Sequence, residues 1–145
     1  MGSKVGTEKI TREDGFLYYI GKARDAHANA MAEEYIKWST RYAKCEMREV
    51  RPERFDPWTQ HPSVTKVFLD PAGKAMDSAK FAGLFDRDLM FLIGGADGLP
   101  AAWLERADAL VSLSAMTMPH ELARVVLAEQ IYRALATLNG HPYAR

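Results

Sequence analysis

The chain has 145 residues, enough for one domain around one core. Basic and acidic side chains both number 19, so the formal charge is zero, which excludes a polyanion binder that works by charge alone. Cys45 is the single cysteine, which excludes an internal disulfide or a multi-cysteine zinc site, and no apolar run is long enough to span a bilayer.

Gly15-Phe-Leu-Tyr-Tyr-Ile20 reads as a short buried strand closed by Gly21. Residues 25–43 form the first helix, with Met31, Tyr35, Trp38 and Tyr42 in one stripe at helical spacing. Glu33, Glu34, Lys37 and Arg41 fill much of the remainder. Residues 45–50 alternate Cys45 and Met47 with Glu46 and Arg48, the pattern of a half-exposed strand. Pro52, Pro57 and Pro62 exclude a regular element from residues 51–63. Val64 to Asp70 is a strand ended by the turn Asp70-Pro-Ala-Gly73. Asp77 or Ser78 caps a short helix through Phe85.

Leu89-Met-Phe-Leu-Ile93 is a continuous apolar run, suited to a central parallel strand covered on both faces. The loop Gly94-Gly-Ala-Asp-Gly98 follows, and Pro100 begins the next helix. Residues 109–113 are a further strand. His120 to Leu138 is the last helix, with Gly140 as its stop. Leu122, Val125, Val126, Ile131, Tyr132, Leu135 and Leu138 are spread around most of its circumference. A helix apolar on most sides needs cover on most sides: the sheet on one, and on the other a second subunit or, more plainly, a neighbouring helix of the same chain. Strands alternate with helices throughout, so the fold class is an α/β sandwich with a mostly parallel sheet.

The loops carry few charges. Adjacent glycines at 94 and 95 fail the Gly-x-Gly-x-x-Gly spacing of a dinucleotide loop, and a tight turn needing positive φ explains them equally well. Ser112-Leu-Ser-Ala-Met-Thr-Met-Pro119 offers mainly backbone amides and carbonyls, which can read an adenine edge. A capping role for Thr117 or His120 is the simpler alternative. Glu129 and Arg133 form an i, i+4 pair, either a surface ion pair or an anchor for a ligand or subunit. No His-x-x-x-His or Cys-x-x-Cys spacing points to a metal. Met1-Gly-Ser-Lys4 lacks the apolar core of a secretory signal, so a cytoplasmic protein is expected.

Phe91-Leu-Ile-Gly-Gly-Ala-Asp-Gly-Leu99, Ser112 to His120, Arg124-Val-Val-Leu-Ala-Glu-Gln-Ile-Tyr-Arg133 and Asn139-Gly-His-Pro-Tyr143 together resemble the ribosomal RNA large subunit methyltransferase H family, of the SPOUT class. Leu69-Asp-Pro-Ala-Gly73 joins the resemblance, and Tyr19-Ile-Gly-Lys22 and Glu34-Tyr-Ile-Lys37 fit it more loosely. It implies a single domain over residues 15–145 after an N-terminal extension of residues 1–14, with helices flanking the sheet and a C-terminal trefoil knot. The implied cofactor is S-adenosyl-L-methionine. The implied activity is methylation of N3 of a pseudouridine in 23S ribosomal RNA, by a homodimer acting on the assembled ribosome. Docking on the ribosome suits a chain whose residues 1–54 hold 11 basic and 9 acidic side chains and whose residues 55–145 hold 8 and 10.

By the same resemblance, Leu69, Gly95 and Ser114, Ala115, Met116, Thr117, Met118 and Pro119 contact the cofactor. His120, Arg133, Tyr143 and Arg145 stand on the pseudouridine side. His120, or a water held by Tyr143, takes the imide proton, and Arg133 or Arg145 stabilises charge on the flanking carbonyls or holds a phosphate. No metal takes part. The chain departs from the family where residues 51–63 are shortened, and at Ala144, where relatives often carry a polar ring. The shortened segment motivates an alternative from another class, a module that binds S-adenosyl-L-methionine without methylating RNA.

Overall fold

The computed structural model describes residues 14–143. Arg145, and all but Asp14 of the expected N-terminal extension, lie outside the described residues. Chain order is β1 (Gly15–Ile20), α1 (Ala26–Ser39), β2 (Cys45–Val50), α2 (Pro57–Gln60) and β3 (Thr65–Ala75), then α3 (Ser78–Ala82), β4 (Leu89–Ile93), α4 (Ala101–Arg106), β5 (Ala109–Ser112) and α5 (His120–Leu138).

Five strands pair in parallel in the order β2-β1-β4-β3-β5. The apolar run Leu89–Ile93 lies between β1 and β3 with all of its residues buried, as its composition requires. Side chains alternate between faces. Leu17, Tyr19, Phe91 and Ile93 pack with Ala32 and Ile36 of α1, Phe81 of α3, and Leu127 and Ile131 of α5. Phe16, Tyr18, Phe68, Met90 and Leu92 face the other way, with Trp58 of α2 and Trp103 of α4 against them. Each such Leu or Phe, withdrawn from water, contributes roughly 2–3 kcal/mol before chain entropy is set against it.

The helix ends follow local chemistry. The Asp25 carboxylate accepts from the His27 and Ala28 amides at 3.0 and 3.1 Å and starts α1. Asp77, not Ser78, caps α3, accepting from the Lys80 amide at 2.8 Å. At the end of α5, Gly140 has φ +76°, the Gly140 amide reaches the Thr137 carbonyl at 3.1 Å, and the His141 amide reaches Ala136 at 2.8 Å. That paired 5→2 and 6→1 pattern is a Schellman stop.

Four expectations need correction. The aromatic stripe of α1 is not its core face: Met31 and Trp38 are exposed, and the buried residues are Ala32, Ile36 and Ser39. Tyr35 and Tyr42 are partly buried against the core, and Tyr35, Trp38 and Tyr42 all lie beside the Tyr132 ring of α5. The helix also ends before Tyr42, because the Ser39 and Thr40 hydroxyls bond the Tyr35 and Lys37 carbonyls at 2.8 and 2.6 Å. The proline segment contains one helical turn, with Pro57 in its first turn and Asp56 capping it. Lastly, Asp70-Pro-Ala-Gly73 does not end β3. The pairing with β5 breaks between Leu69 and Lys74 and then resumes, Lys74 and Ala75 opposite Val111 and Ser112.

Candidate functional site

The loops after β3, β4 and β5 meet at the carboxyl ends of these strands and enclose a cavity of about 400 Å³. Ligands of open parallel sheets bind at such ends, where strand order reverses. Each loop has a local cause. A Cβ on Gly73 would lie 2.7 Å from the Leu110 carbonyl carbon and the Val111 nitrogen, so only glycine lets the excursion of β3 pass against β5. The loop after β4 folds on itself through the Gly98 amide and the Gly95 carbonyl, 3.0 Å apart. Gly98 takes the positive φ there, +76°, whereas Gly94 and Gly95 do not; those two are required by closeness. A Cβ on Gly94 would lie 2.4 Å from the Gly98 carbonyl carbon, and one on Gly95 would lie 2.9 Å from the Ile20 carbonyl oxygen. The loop after β5 is tied by the Ser112 hydroxyl donating to the Ser114 carbonyl at 3.0 Å and by the Ser114 hydroxyl accepting from the Met116 amide at 2.9 Å.

Leu69, Gly95, Ser114, Ala115, Met116, Thr117 and Met118 all line this cavity, and so does His120. Pro119 does not line it; it holds the N-cap of α5, with no side chain capping the helix. Neither Thr117 nor His120 therefore caps. Glu121 instead reaches back, accepting from the Arg24 and Asp25 amides at 3.0 and 2.9 Å, and these bonds hold its carboxyl below the usual range. The start of α5 is thereby clamped to the loop leading into α1. Met116 is 79% exposed at the cavity mouth.

Arg133 and Tyr143 stand elsewhere. Thirteen residues of helix separate His120 from Arg133, about 20 Å at 1.5 Å per residue. At that far end Glu129 accepts from Arg133 at 2.7 and 3.0 Å and from the Tyr143 phenol at 2.8 Å. The tail thus folds back onto α5, and the Tyr143 ring meets Tyr132 edge-on at 4.7 Å. Burial first, then the bond to Glu129, pushes the Tyr143 phenol well above its ordinary value. One chain does not bring the four expected pseudouridine-side residues together: His120 is at the cavity, Arg133 and Tyr143 are a helix length away, and Arg145 lies outside the described residues.

Sequence reasoning passed over several residues. Asp70 also lines the cavity, although its place in a turn sequence signalled only chain reversal. Arg124 is 1% exposed, with its guanidinium 3.6 Å from the Tyr19 ring centroid. Its Nε and Nη1 have no hydrogen-bond partner among the described residues, and burial lowers its pKa. Nothing local to the helix signals that burial. Among the described residues, no group of three or more His, Cys, Asp or Glu side chains is placed to hold a metal ion.

The family profile described as "Predicted SPOUT methyltransferase" matches residues 16–144. A protein of Solibacter usitatus named ribosomal RNA large subunit methyltransferase H is 63% identical over 136 residues, covering 90% of this chain and 98% of its own. Its namesake in Sinorhizobium medicae is 54% identical over 86 residues, 54% of each chain. Among solved structures, the SpoU methyltransferase AviRb of Streptomyces viridochromogenes, in complex with the cofactor AdoMet, is 18% identical, with a TM-score of 0.56 over 84% of this chain and 58% of that one. At that identity the likeness is one of fold. The chain belongs to the SPOUT methyltransferases and, within them, to the ribosomal RNA large subunit methyltransferase H family.

Proposed function

We propose that the cavity holds S-adenosyl-L-methionine and that the chain methylates N3 of a pseudouridine in 23S ribosomal RNA. One observation carries this: three loops, two of them held by glycines at 73, 94 and 95 that leave no room for a Cβ, surround a ligand-sized space lined mainly by backbone and small uncharged side chains, with Asp70 as its carboxylate. The fit is chemical. Leu69, Ile93 and Leu113 offer apolar surface to an adenine ring, and the amides and carbonyls of residues 112–118 offer partners to its edge. The remaining assigned contacts, Gly95 and the turn through Pro119, complete the grip. We further take the C-terminal segment to be threaded as a trefoil knot, which would bring these loops together at one end of the sheet.

When bound, the cofactor supplies an activated methyl group on a positively charged sulfur. The chain's own work is to hold the target nitrogen in line and to manage its proton. His120, at the cavity wall, carries a ring nitrogen able to accept the N3 imide proton. Arg133 suits a flanking carbonyl oxygen or a phosphate, and Tyr143 suits the base edge. Arg145 joins them by the family resemblance.

These groups meet only if two copies combine. Met31 and Trp38 of α1 and Leu122 and Leu138 of α5 are exposed apolar side chains, with Tyr132 and Tyr143 close by. A two-fold dimer laid on these helices runs α5 against its own copy in reverse. His120 of one copy then approaches the partner's Arg133 and Tyr143. With zero net charge, the dimer docks on the assembled ribosome by shape more than by charge, and so works in the cytoplasm.

The test pairs calorimetry with S-adenosyl-L-methionine and a single-turnover assay on ribosomes lacking the modification. Saturable binding with transfer of one methyl group supports the proposal. Binding without transfer makes the chain a cofactor-binding module, and no binding removes the proposal altogether. Mixing His120→Ala with Tyr143→Phe chains restores one intact site per mixed dimer; no recovery would refute the shared site.

A further inference from the structure

The cavity lining is almost free of charge. Among the described residues of the wall, Asp70 alone supplies a carboxylate, and His120 is the other ionisable one. Asp70 is half-buried at the point where β3 leaves its pairing with β5, and its Oδ2 accepts from the Ala72 amide at 2.9 Å. That bond fixes the side chain in the turn. The other electrostatic element has the opposite sign. α5 starts at the cavity with no side-chain cap, and a 19-residue helix presents a positive end there. Such an end is equivalent to about half an elementary charge. Alone it would repel a cation, whereas a full negative charge at comparable range outweighs it.

We infer that Asp70 is a specificity-determining residue that makes the cavity prefer the sulfonium form of the adenosyl ligand to its neutral thioether product. This rests on the function proposed above. Donor and product differ by one methyl group and one unit of charge. In the transfer the carbon–sulfur bond breaks with its electron pair left on sulfur, the new bond forms to N3, and the N3 proton goes to the base. Sulfur is neutral afterwards, so Asp70 loses its attraction and the product is released. Uncharged walls make that distinction only through carbonyl dipoles and the fit around the methyl group, whereas a carboxylate acts on the charge itself.

The experiment measures dissociation constants of S-adenosyl-L-methionine and S-adenosylhomocysteine for the full chain, for Asp70→Asn and for Asp70→Glu. Asparagine keeps an oxygen for the Ala72 amide and removes the charge. The expected result is about three- to ten-fold weaker binding of the sulfonium, the scale of a half-exposed charge pair, with the thioether changed less than two-fold. Asp70→Glu restores the preference. In the unaltered chain, raising salt weakens the sulfonium more than the thioether, a readout that needs no variant to fold. Equal losses for both ligands, or equal salt slopes, overturn the role of Asp70. Failure of the unaltered chain to bind either ligand overturns instead the function on which that role rests.

Discussion

Gly94→Ala is the sharpest structural test of the cavity wall. The new Cβ would stand 2.4 Å from the Gly98 carbonyl carbon, 2.7 Å from its Cα and 2.8 Å from its oxygen. Carbon atoms in contact sit at about 3.5–4.0 Å, so more than an ångström must be found. The obstacle is backbone pinned by the Gly95–Gly98 bridge, and no flexible side chain can move aside. Overpacking of this kind costs about 2–3 kcal/mol. In a domain of this size that lowers the melting temperature by roughly 4–12 °C if the strain stays in the folded state. If the loop opens instead, the same energy appears as about a thirty- to hundred-fold loss of cofactor affinity. Gly98→Ala is the control: its Cβ meets nothing within 4 Å, and only the φ of +76° resists it. That variant should cost about 1–2 kcal/mol. Thermal melts and calorimetry on both variants decide the matter. A Gly94→Ala protein with unchanged melting temperature and unchanged affinity would refute the packing argument.

Other consequences follow from the same geometry. Glu129→Gln weakens the partly buried pair with Arg133 and the bond from Tyr143, costing about 1–2 kcal/mol, and tyrosine absorbance then titrates at lower pH; an unchanged titration would show that Glu129 does not hold the tail. Burial pushes the Cys45 thiol up to about 12 from its ordinary value of about 9, so its contribution to stability is complete below about pH 9 and is lost as pH rises toward about 12. At pH 8 the folded chain accordingly holds about a thousand-fold less thiolate than the unfolded one; equal labelling rates with a thiol reagent would contradict this. Arg124→Met removes a buried charge whose Nε and Nη1 have no hydrogen-bond partner among the described residues. The expected change in unfolding free energy is about zero to 2 kcal/mol in the stabilising direction. A loss of stability would show that stacking on Tyr19 outweighs desolvation.

What the sequence revealed depended on how local the cause was. β4 was legible because five consecutive apolar residues suit only a strand covered on both faces. α5 was legible in its bounds, His120 to Leu138, with Gly140 as its stop, but the caps expected at its start, Thr117 or His120, were not. The aromatic stripe of α1 misled because helical spacing tells which residues share a face, not which face the neighbour takes. The residues buried there are Ala32, Ile36 and Ser39, while Tyr35, Trp38 and Tyr42 of the stripe border the Tyr132 ring of α5. The excursion at Asp70 to Gly73 is set by β5, some forty residues on, and no local signal encodes its return to the sheet. The loops at residues 94–98 and 112–118 line the cavity, whereas their composition fitted a tight turn and a serine-rich connection equally well. The separation of His120 from Tyr143 was hidden because a motif records order along the chain, while helix length sets distance.

The central claim is a methyl group placed on one base of ribosomal RNA. Its most direct measurement is mass mapping of large-subunit RNA from cells with and without this gene. A 14 Da decrement at a single pseudouridine in the deleted strain, restored by the intact gene, is the predicted result, the mass being about that of one CH₂. Identical pseudouridine masses in the two strains would contradict it.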